Sequence, residues 1–401
     1  MAHPVSLGVI GCGNRTRHLL KMLLSKTPDV KLVAACDPLP EQREGFRRDY
    51  NPDLALFDDD AAFFSHPGME WVMIGSWNVH HRRHIEAALK QGLNIFCEKP
   101  LATTQEDVAA ILKMARASDR RIMMSFTLRY SPLYRKIREL LDSGIIGKLV
   151  SFEFNETIGF NHGGHIMRDW RRRTVNSGGH LLEKCCHDMD LANWMVGALP
   201  VSVASFGGND FFRPENAGQM DRIGMDVNGK RAYCNWNNIG GNAHPFSGDN
   251  DIVDNQVAIL QYANGVRATF HTNTNAGILE RRMYLLGTEG ALRADCITGK
   301  IEFTRIGFNT RVEVLDMLDT PGGHGGGDEV LIDYFVKMMT EGAPSLTPVT
   351  GGVSSAVICL SIDESRNEGR MVDLSPRWKA LSIDPCAPES GSAEKQHRVL
   401  V

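Results

Sequence analysis

Glu183, His187 and Asp190 follow one another at four- and three-residue steps in the stretch Ser177–Val196, which reads as one helix ending at Gly197. At helical pitch all three share a stripe, while Leu182, Met189 and Met195 populate other faces. Two carboxylates and an imidazole on an otherwise apolar helix are expensive to bury without a use. Glu183 or Asp190 can orient the imidazole while its other nitrogen meets a hydroxyl proton. A second candidate is Cys97-Glu98-Lys99-Pro100 at the end of a strand. Pro100 biases Lys99 toward extended backbone. A lysine partly desolvated beside another cation has a lowered pKa and exchanges protons near neutrality. On the residues alone, an ion-paired structural histidine and a strand-end surface lysine stand as alternatives. His162, His165 and His180 lie nearby, but irregularly and without H-x-x-x-H, so no metal site is expected.

These groups need a scaffold, and the chain opens with one. Val5 to Ile10 is a short apolar strand, Gly11-Cys12-Gly13 follows, and an apolar-periodic helix runs through Leu19 to Leu24. Val30 to Cys36 is a second strand, ending on Asp37. Glycines let backbone approach a pyrophosphate, the helix N-terminus offers free N–H groups, and a carboxylate about 20 residues on accepts from ribose hydroxyls. Thr16 stands where a third glycine would ease helix packing. An ordinary βαβ turn that binds nothing is the alternative. If the turn does hold a dinucleotide, Asp37 repels a 2′-phosphate and favours NAD over NADP.

The alternation continues with a strand Trp71–Ile74, a Ser76-Trp77-Asn78 turn, a helix His81–Lys90 stopped by Gly92, and a strand Asn94–Cys97. Thr103 or Thr104 caps a helix running to Ala115, and Arg121–Phe126 is one more strand. Strands alternating with helices predict an α/β, parallel, doubly wound sheet. After Ser131 the pattern changes: a helix Leu133–Ser143, a strand Leu149–Thr157, then hairpins. Gln256–Tyr262, an Asn264-Gly265 turn and Val266–Thr272 form the clearest, and Met283–Leu286, Ala291–Ala294 and Lys300–Arg305 continue it. This predicts a second α/β domain with a large, mainly antiparallel sheet, open on one side and suited to subunit pairing. Asp328–Met339 and Val353–Glu364 read as late helices. Phe211–Asp251 is long and rich in Asn and Gly, with Trp236 and Phe246, and is expected to be a lid or substrate-binding loop. The domains expected are 1–130, 131–380 and a loose polar tail over 381–401.

The totals exclude several classes. A chain of 401 residues with a net charge of -4 gives no sign of a nucleic-acid or anionic-membrane partner. Nine cysteines, an odd number without C-x-x-C spacing, argue against a disulfide framework and for a reducing compartment. No signal peptide or transmembrane helix is visible, so a cytoplasmic protein is expected.

The glycine turn, Asn78-x-x-His81, Glu98-Lys99-Pro100 and Gly178-Gly179…His187-x-x-Asp190, in this order and spacing, resemble the Gfo/Idh/MocA oxidoreductase family over about Val5 to Val372. The family has Asp where Glu183 stands and Gly where Cys186 stands. The resemblance implies an N-terminal Rossmann domain, a C-terminal domain whose open sheet makes homodimers or homotetramers, and NAD as cofactor. It implies that Lys99 and His187 contact the reacting hydroxyl, with Glu183 as the third catalytic group. Cofactor contacts then fall on Gly11, Gly13, Asn14, Arg15, Asp37, Ser76, Asn78, His81, Glu98 and Lys99. The segments around Trp170-Arg171-Arg172 and His324-Gly325-Gly326-Gly327-Asp328 resemble dehydrogenases of inositols, sugars and glycosides. They make Arg129, His165, Trp170, Arg171 and His324 substrate-pocket candidates, with core packing or a solvated loop as the alternative for each. The activity implied is NAD-dependent oxidation of a secondary hydroxyl on a cyclic polyol, sugar or glycoside. An NAD-dependent glycosidase, an aldose–aldose oxidoreductase with a retained cofactor, and a sugar-sensing regulator are the rival readings.

Overall fold

Six short runs become the parallel strands of one sheet: β1 Val5–Ile10, β2 Val30–Cys36, β3 Ala55–Phe57, β4 Trp71–Ile74, β5 Asn94–Cys97 and β6 Ile122–Met124. The computed structural model describes residues 4–236, 243–318 and 324–387. The strand order is β3-β2-β1-β4-β5-β6, the doubly wound arrangement whose winding reverses beside β1 and β4. Trp71–Ile74 is buried at every residue, as a parallel strand covered on both faces must be. Helices Asn14–Lys26, Pro40–Tyr50, Asp60–Phe64, His81–Lys90 and Gln105–Arg116 make the crossovers. Thr104 is the cap of the last, its hydroxyl accepting from Asp107 N at 3.1 Å. The helix Pro40–Tyr50 has no counterpart in the sequence reading. It buries only Gly45 and Phe46, so it carries almost no apolar period.

A later helix, Gly327–Thr340, belongs to this unit. Phe335 lies 5.4 Å from the Trp71 ring and 4.7 Å from Phe96, and Leu331, Ile332 and Met338 join the core around Leu7 and Val9. Residues 4–131 and 324–356 therefore form one compact unit, where the sequence placed all of 131–380 in the second domain. Local periodicity does not encode a return over that distance.

The second unit, residues 132–318 and 357–387, is built on one large sheet. Its strands are β7 Leu149–Gly159, β8 Pro200–Gly208, β9 Asn255–Tyr262, β10 Arg267–Ala276, β11 Arg282–Gly287, β12 Gly290–Asp295, β13 Lys300–Arg305, β14 Glu313–Asp316 and β15 Val372–Asp373. They run in the order β14-β13-β12-β11-β7-β10-β9-β8-β15. The pair β7–β10 is parallel and the other neighbours are antiparallel. On β9 the side chains alternate strictly, with Ala258, Leu260 and Tyr262 buried and Val257 and Ile259 exposed. One face is core and one is open.

Two expectations are corrected here. Ser177–Val196 is not one helix: Gly178 and Gly179 hold φ of 81° and 100°, and the helix begins at His180. That left-handed backbone is what the glycine pair supplies and what ends the short helix Thr174–Ser177. Nor is Phe211–Asp251 structureless, although its residues 237–242 lie outside the described residues. Pro214–Asn216 and Gln219–Ile223 are helical, and Phe212, Met220, Tyr233 and Phe246 close a small core with Ile158, Ile166 and Met167. Most of the expected tail, 388–401, also lies outside the described residues.

Candidate functional site

The glycine turn after β1 is forced by close approach. Gly11 has φ of 90°, and a Cβ there would lie 2.4 Å from the backbone of Gly75 and Ser76. Its N–H donates to Cys36 O at 2.8 Å. The helix Asn14–Lys26 then starts from Gly13 with no side-chain cap and no acid in its first turn. A Cβ on Gly13 would meet nothing within 4 Å, so the turn is open on that side. Asp37 pins the turn: Oδ2 accepts from Cys12 N at 2.8 Å and Oδ1 from Leu39 N at 2.9 Å. Each oxygen keeps a second lone pair for a ribose hydroxyl. Uncapped amides, an open approach and an anchored carboxylate fit a dinucleotide. Thr16 is accommodated by its neighbour, since a Cβ on Gly75 would lie 2.1 Å from the Thr16 hydroxyl. The room usually made at position 16 is made at Gly75.

The ends of β4 and β5 are tied together by histidines. Nδ1 of the buried His81 lies 2.7 Å from Pro100 O, and Nε2 lies 3.1 Å from Ser76 O. Burial pushes its pKa down, against the pull of the two carbonyls. Both ring nitrogens thus lie against backbone carbonyls, and His81 ties these two loops together. Ser76 Oγ is 2.9 Å from His84 Nδ1, and Asn78 is buried in the turn between them. Glu98 Oε1 accepts from Arg15 Nε at 2.9 Å and Ser125 Oγ at 2.8 Å, and Oε2 accepts from Lys99 N at 3.2 Å. Lys99 itself is half-buried.

Arg15 departs from a simple cofactor contact. Its Nη2 also donates to Thr127 Oγ1 at 2.9 Å and Asp328 Oδ1 at 2.7 Å. Burial opposes its charge, but Glu98 and Asp328 more than offset this and raise its pKa. Asp328 is held far below the usual carboxylate range despite its own burial, by His324 and Arg15. His324 Nδ1 lies 3.1 Å from Asp328 Oδ2. Arg129 is buried in the turn Thr127–Tyr130 of the same unit. These two substrate candidates thus fall in the nucleotide unit. The other three fall in the second unit.

On the helix His180–Val196, Glu183, His187 and Asp190 are all buried. Glu183 Oε1 accepts from Arg171 Nε at 3.1 Å. Arg171 also donates through Nη1 to Asp169 Oδ2 at 2.5 Å and through its backbone N to Oδ1 at 2.9 Å. Its guanidinium carbon lies 4.5 Å over the Trp170 ring, and His165 Nε2 lies 3.9 Å from Asp169. Burial works against the Arg171 charge, but Glu183 and Asp169 raise its pKa. Arg171 is therefore ion-paired, not the tip of a solvated loop. It is a fixed cation on the catalytic candidate Glu183.

Sequence reading missed a buried quartet beside this stripe. Arg281 grips Asp188 with Nε and Nη2 at 2.9 and 2.7 Å and meets Glu156 at 3.0 Å, while Lys184 meets Glu156 at 3.1 Å. Burial pushes the Asp188 carboxyl up to about 7 against the pull of Arg281. Glu156 is buried too, yet Arg281 and Lys184 hold it down to about 2. Cys185, Glu156 and Asp188 bring ligand atoms within 4.8 Å of one another, but two fixed cations already neutralise the carboxylates.

A nucleotide cradle on a doubly wound sheet, with a second unit carrying a buried acid–imidazole helix, defines a two-domain, dinucleotide-dependent oxidoreductase. Residues 5–126 match the oxidoreductase family's NAD-binding Rossmann fold, and residues 138–374 match its C-terminal alpha/beta domain. The chain belongs to the Gfo/Idh/MocA oxidoreductase family. It is 25% identical over 305 residues to the candidate oxidoreductase YteT of Bacillus subtilis, covering 65% of this chain and 71% of that protein. It is 24% identical over 224 residues to the inositol 2-dehydrogenase/D-chiro-inositol 3-dehydrogenase of Lactiplantibacillus plantarum, covering 55% of this chain and 60% of that one. Among solved structures, levoglucosan dehydrogenase in complex with NADH and levoglucosan superposes with a TM-score of 0.75 at 18% identity, over 92% of this chain and 99% of that one. The myo-inositol 2-dehydrogenase of Lactobacillus plantarum gives 0.71 at 21% identity, over 92% and 99%.

Proposed function

We propose that the protein oxidises a secondary hydroxyl of a cyclic polyol, sugar or glycoside, with NAD as hydride acceptor. The observation that carries this reading is the buried stripe of Glu183, His187 and Asp190 in a chain that also holds an NAD cradle. The names of the inositol and levoglucosan dehydrogenases among the similar proteins support the substrate class. Gly11, Gly13 and the first turn from Asn14 hold the pyrophosphate, and Asp37 holds the ribose. NAD, when bound, supplies the hydride acceptor. His187 removes the hydroxyl proton, and the Lys99 ammonium stabilises the oxyanion charge that develops. Glu183, fixed by Arg171, or Asp190 holds His187 in place. Arg129, His165, Trp170 and His324 are proposed to contact substrate. A panel of inositols, hexoses and glycosides, followed by NADH absorbance, tests the reading. At least one member should reduce NAD stoichiometrically; a panel with no turnover contradicts it.

The Asp37 carboxylate repels a 2′-phosphate, so the Michaelis constant for NAD should lie well below that for NADP. A preference for NADP contradicts this role of Asp37. All nine cysteines are free, which fits a reducing, cytoplasmic setting, and no helix among the described residues is long and apolar enough to cross a membrane.

The open face of the large sheet is proposed to pair protomers into a dimer or tetramer. Phe206 is 74% exposed, Ile259 60% and Val257 47%, three apolar side chains on the adjacent strands β8 and β9. Contiguous exposed apolar surface of this kind marks an interface. A Val257→Lys, Ile259→Lys variant should run as a smaller species in light scattering. An unchanged mass would move the interface elsewhere.

A further inference from the structure

We propose that Trp236, backed by His162, forms a stacking wall that receives the apolar C–H face of a saturated six-membered ring and so sets substrate specificity. This rests on the proposed polyol or sugar dehydrogenase reading and adds the residue that selects the ring. Trp236 is 45% exposed, yet it is held in place. Its ring centroid lies 4.5 Å from that of His162 at an interplanar angle of 30°, and 5.3 Å from that of His165. Arg168 Nη1 donates to its carbonyl at 3.3 Å. The segment leading to it is seated on the helix Phe160–Arg168: Tyr233 N donates to Asn161 Oδ1 at 2.9 Å. A Cβ on Gly164 would lie 2.2 Å from Tyr233 O, so glycine is what allows this approach. An aromatic core of Phe212, Tyr233 and Phe246 fixes the same segment from behind.

The wall borders the candidate site in its own unit. His162 feels the charges of Lys184, Glu156 and Glu183, and His165 lies 3.9 Å from Asp169, the partner of Arg171. Burial, then Lys184, pushes the His162 pKa far down, so the imidazole behind the indole is neutral. A half-exposed indole, with the charged pair Asp169–Arg171 reached through His165, matches a ring polyol, whose C–H face is apolar and whose hydroxyls need polar partners. The indole orients the ring, and the charged pair reads its hydroxyls.

The test uses the full-length enzyme with NAD and myo-inositol, D-glucose and methyl glucoside as probes. Trp236→Ala should raise KM for the preferred probe tenfold or more while kcat changes less than about threefold, and Trp236→Phe should recover most of the loss. The preferred probe should also quench a fluorescence component that is missing in Trp236→Phe. If the wild type oxidises a probe and Trp236→Ala leaves KM unchanged, the wall is refuted and the dehydrogenase reading stands. If no probe is oxidised but the Trp236 component is quenched, the wall is supported and the dehydrogenase reading fails. If neither turnover nor quenching occurs with any probe, both fall.

Discussion

Replacing Lys99 with Met, or His187 with Ala, should each lower kcat for the preferred polyol by about 10²–10⁴-fold, because each removes a group proposed to handle the hydroxyl proton or its developing charge. Binding of NAD should survive His187→Ala and weaken only modestly in Lys99→Met, which also removes a cofactor-contact candidate. The proposed cradle rests on Gly11, Gly13 and Asp37, and Asp37 makes its bonds to Cys12 and Leu39 without help from either residue. The effects should also be far from additive. When two residues act on one proton, losing the first removes most of what the second contributes. A double variant should therefore be scarcely slower than the worse single one. Independent, fully multiplying losses would mean that the two residues serve separate steps. Near-normal turnover in either single variant would remove that residue from the mechanism.

Replacing Arg281 with Met should destabilise the second unit by about 3–5 kcal/mol, the cost of leaving a buried charge without its partner. Arg281 spans Asp188 and Glu156, so its loss takes away the cation that both share and leaves Glu156 its ion pair with Lys184. The loss should depend on pH with a definite sign. In the variant Asp188 is buried with less compensation, so its folded pKa rises further above the unfolded value of about 4. Such groups favour folding when protonated and lose that contribution as pH rises through the folded pKa. Asp188 already sits at about 7 with Arg281 in place. The deficit should be smallest near pH 4 and grow toward pH 8. Urea unfolding at both ends of that range checks this, and equal stability of variant and parent at pH 8 would contradict the assigned role.

What could be read from the chain is what is local in it. The strand Val5–Ile10, the glycine turn and Asp37 lie within 33 residues, and each is signalled by its own residue type. The hairpin around Asn264-Gly265 announced itself for the same reason. The quartet did not: Asp188 and Arg281 are 93 positions apart, and neither spacing nor composition marks them as partners. The docking of Phe335 on Trp71 and Phe96 is equally non-local, and it moved a helix from one unit to the other. Arg15 and His81 could be read as cofactor-contact candidates but not as braces, because a brace is defined by what lies at its far end. The helix Phe160–Arg168 was hidden by Gly163-Gly164, a pair that disfavours helix locally but lets Thr274 and Tyr233 approach. Trp236 drew notice as an aromatic in a polar stretch, but only the fold shows what holds it.

Single-turnover mixing of NAD-loaded enzyme with the preferred cyclic polyol, read as NADH absorbance, tests the central claim most directly. The wild type should form one NADH per site in a burst that the Lys99→Met, His187→Ala double variant slows by at least two orders of magnitude, with both proteins saturated in NAD. Equal bursts from the two proteins, or glycosidic cleavage with no NADH, would contradict it.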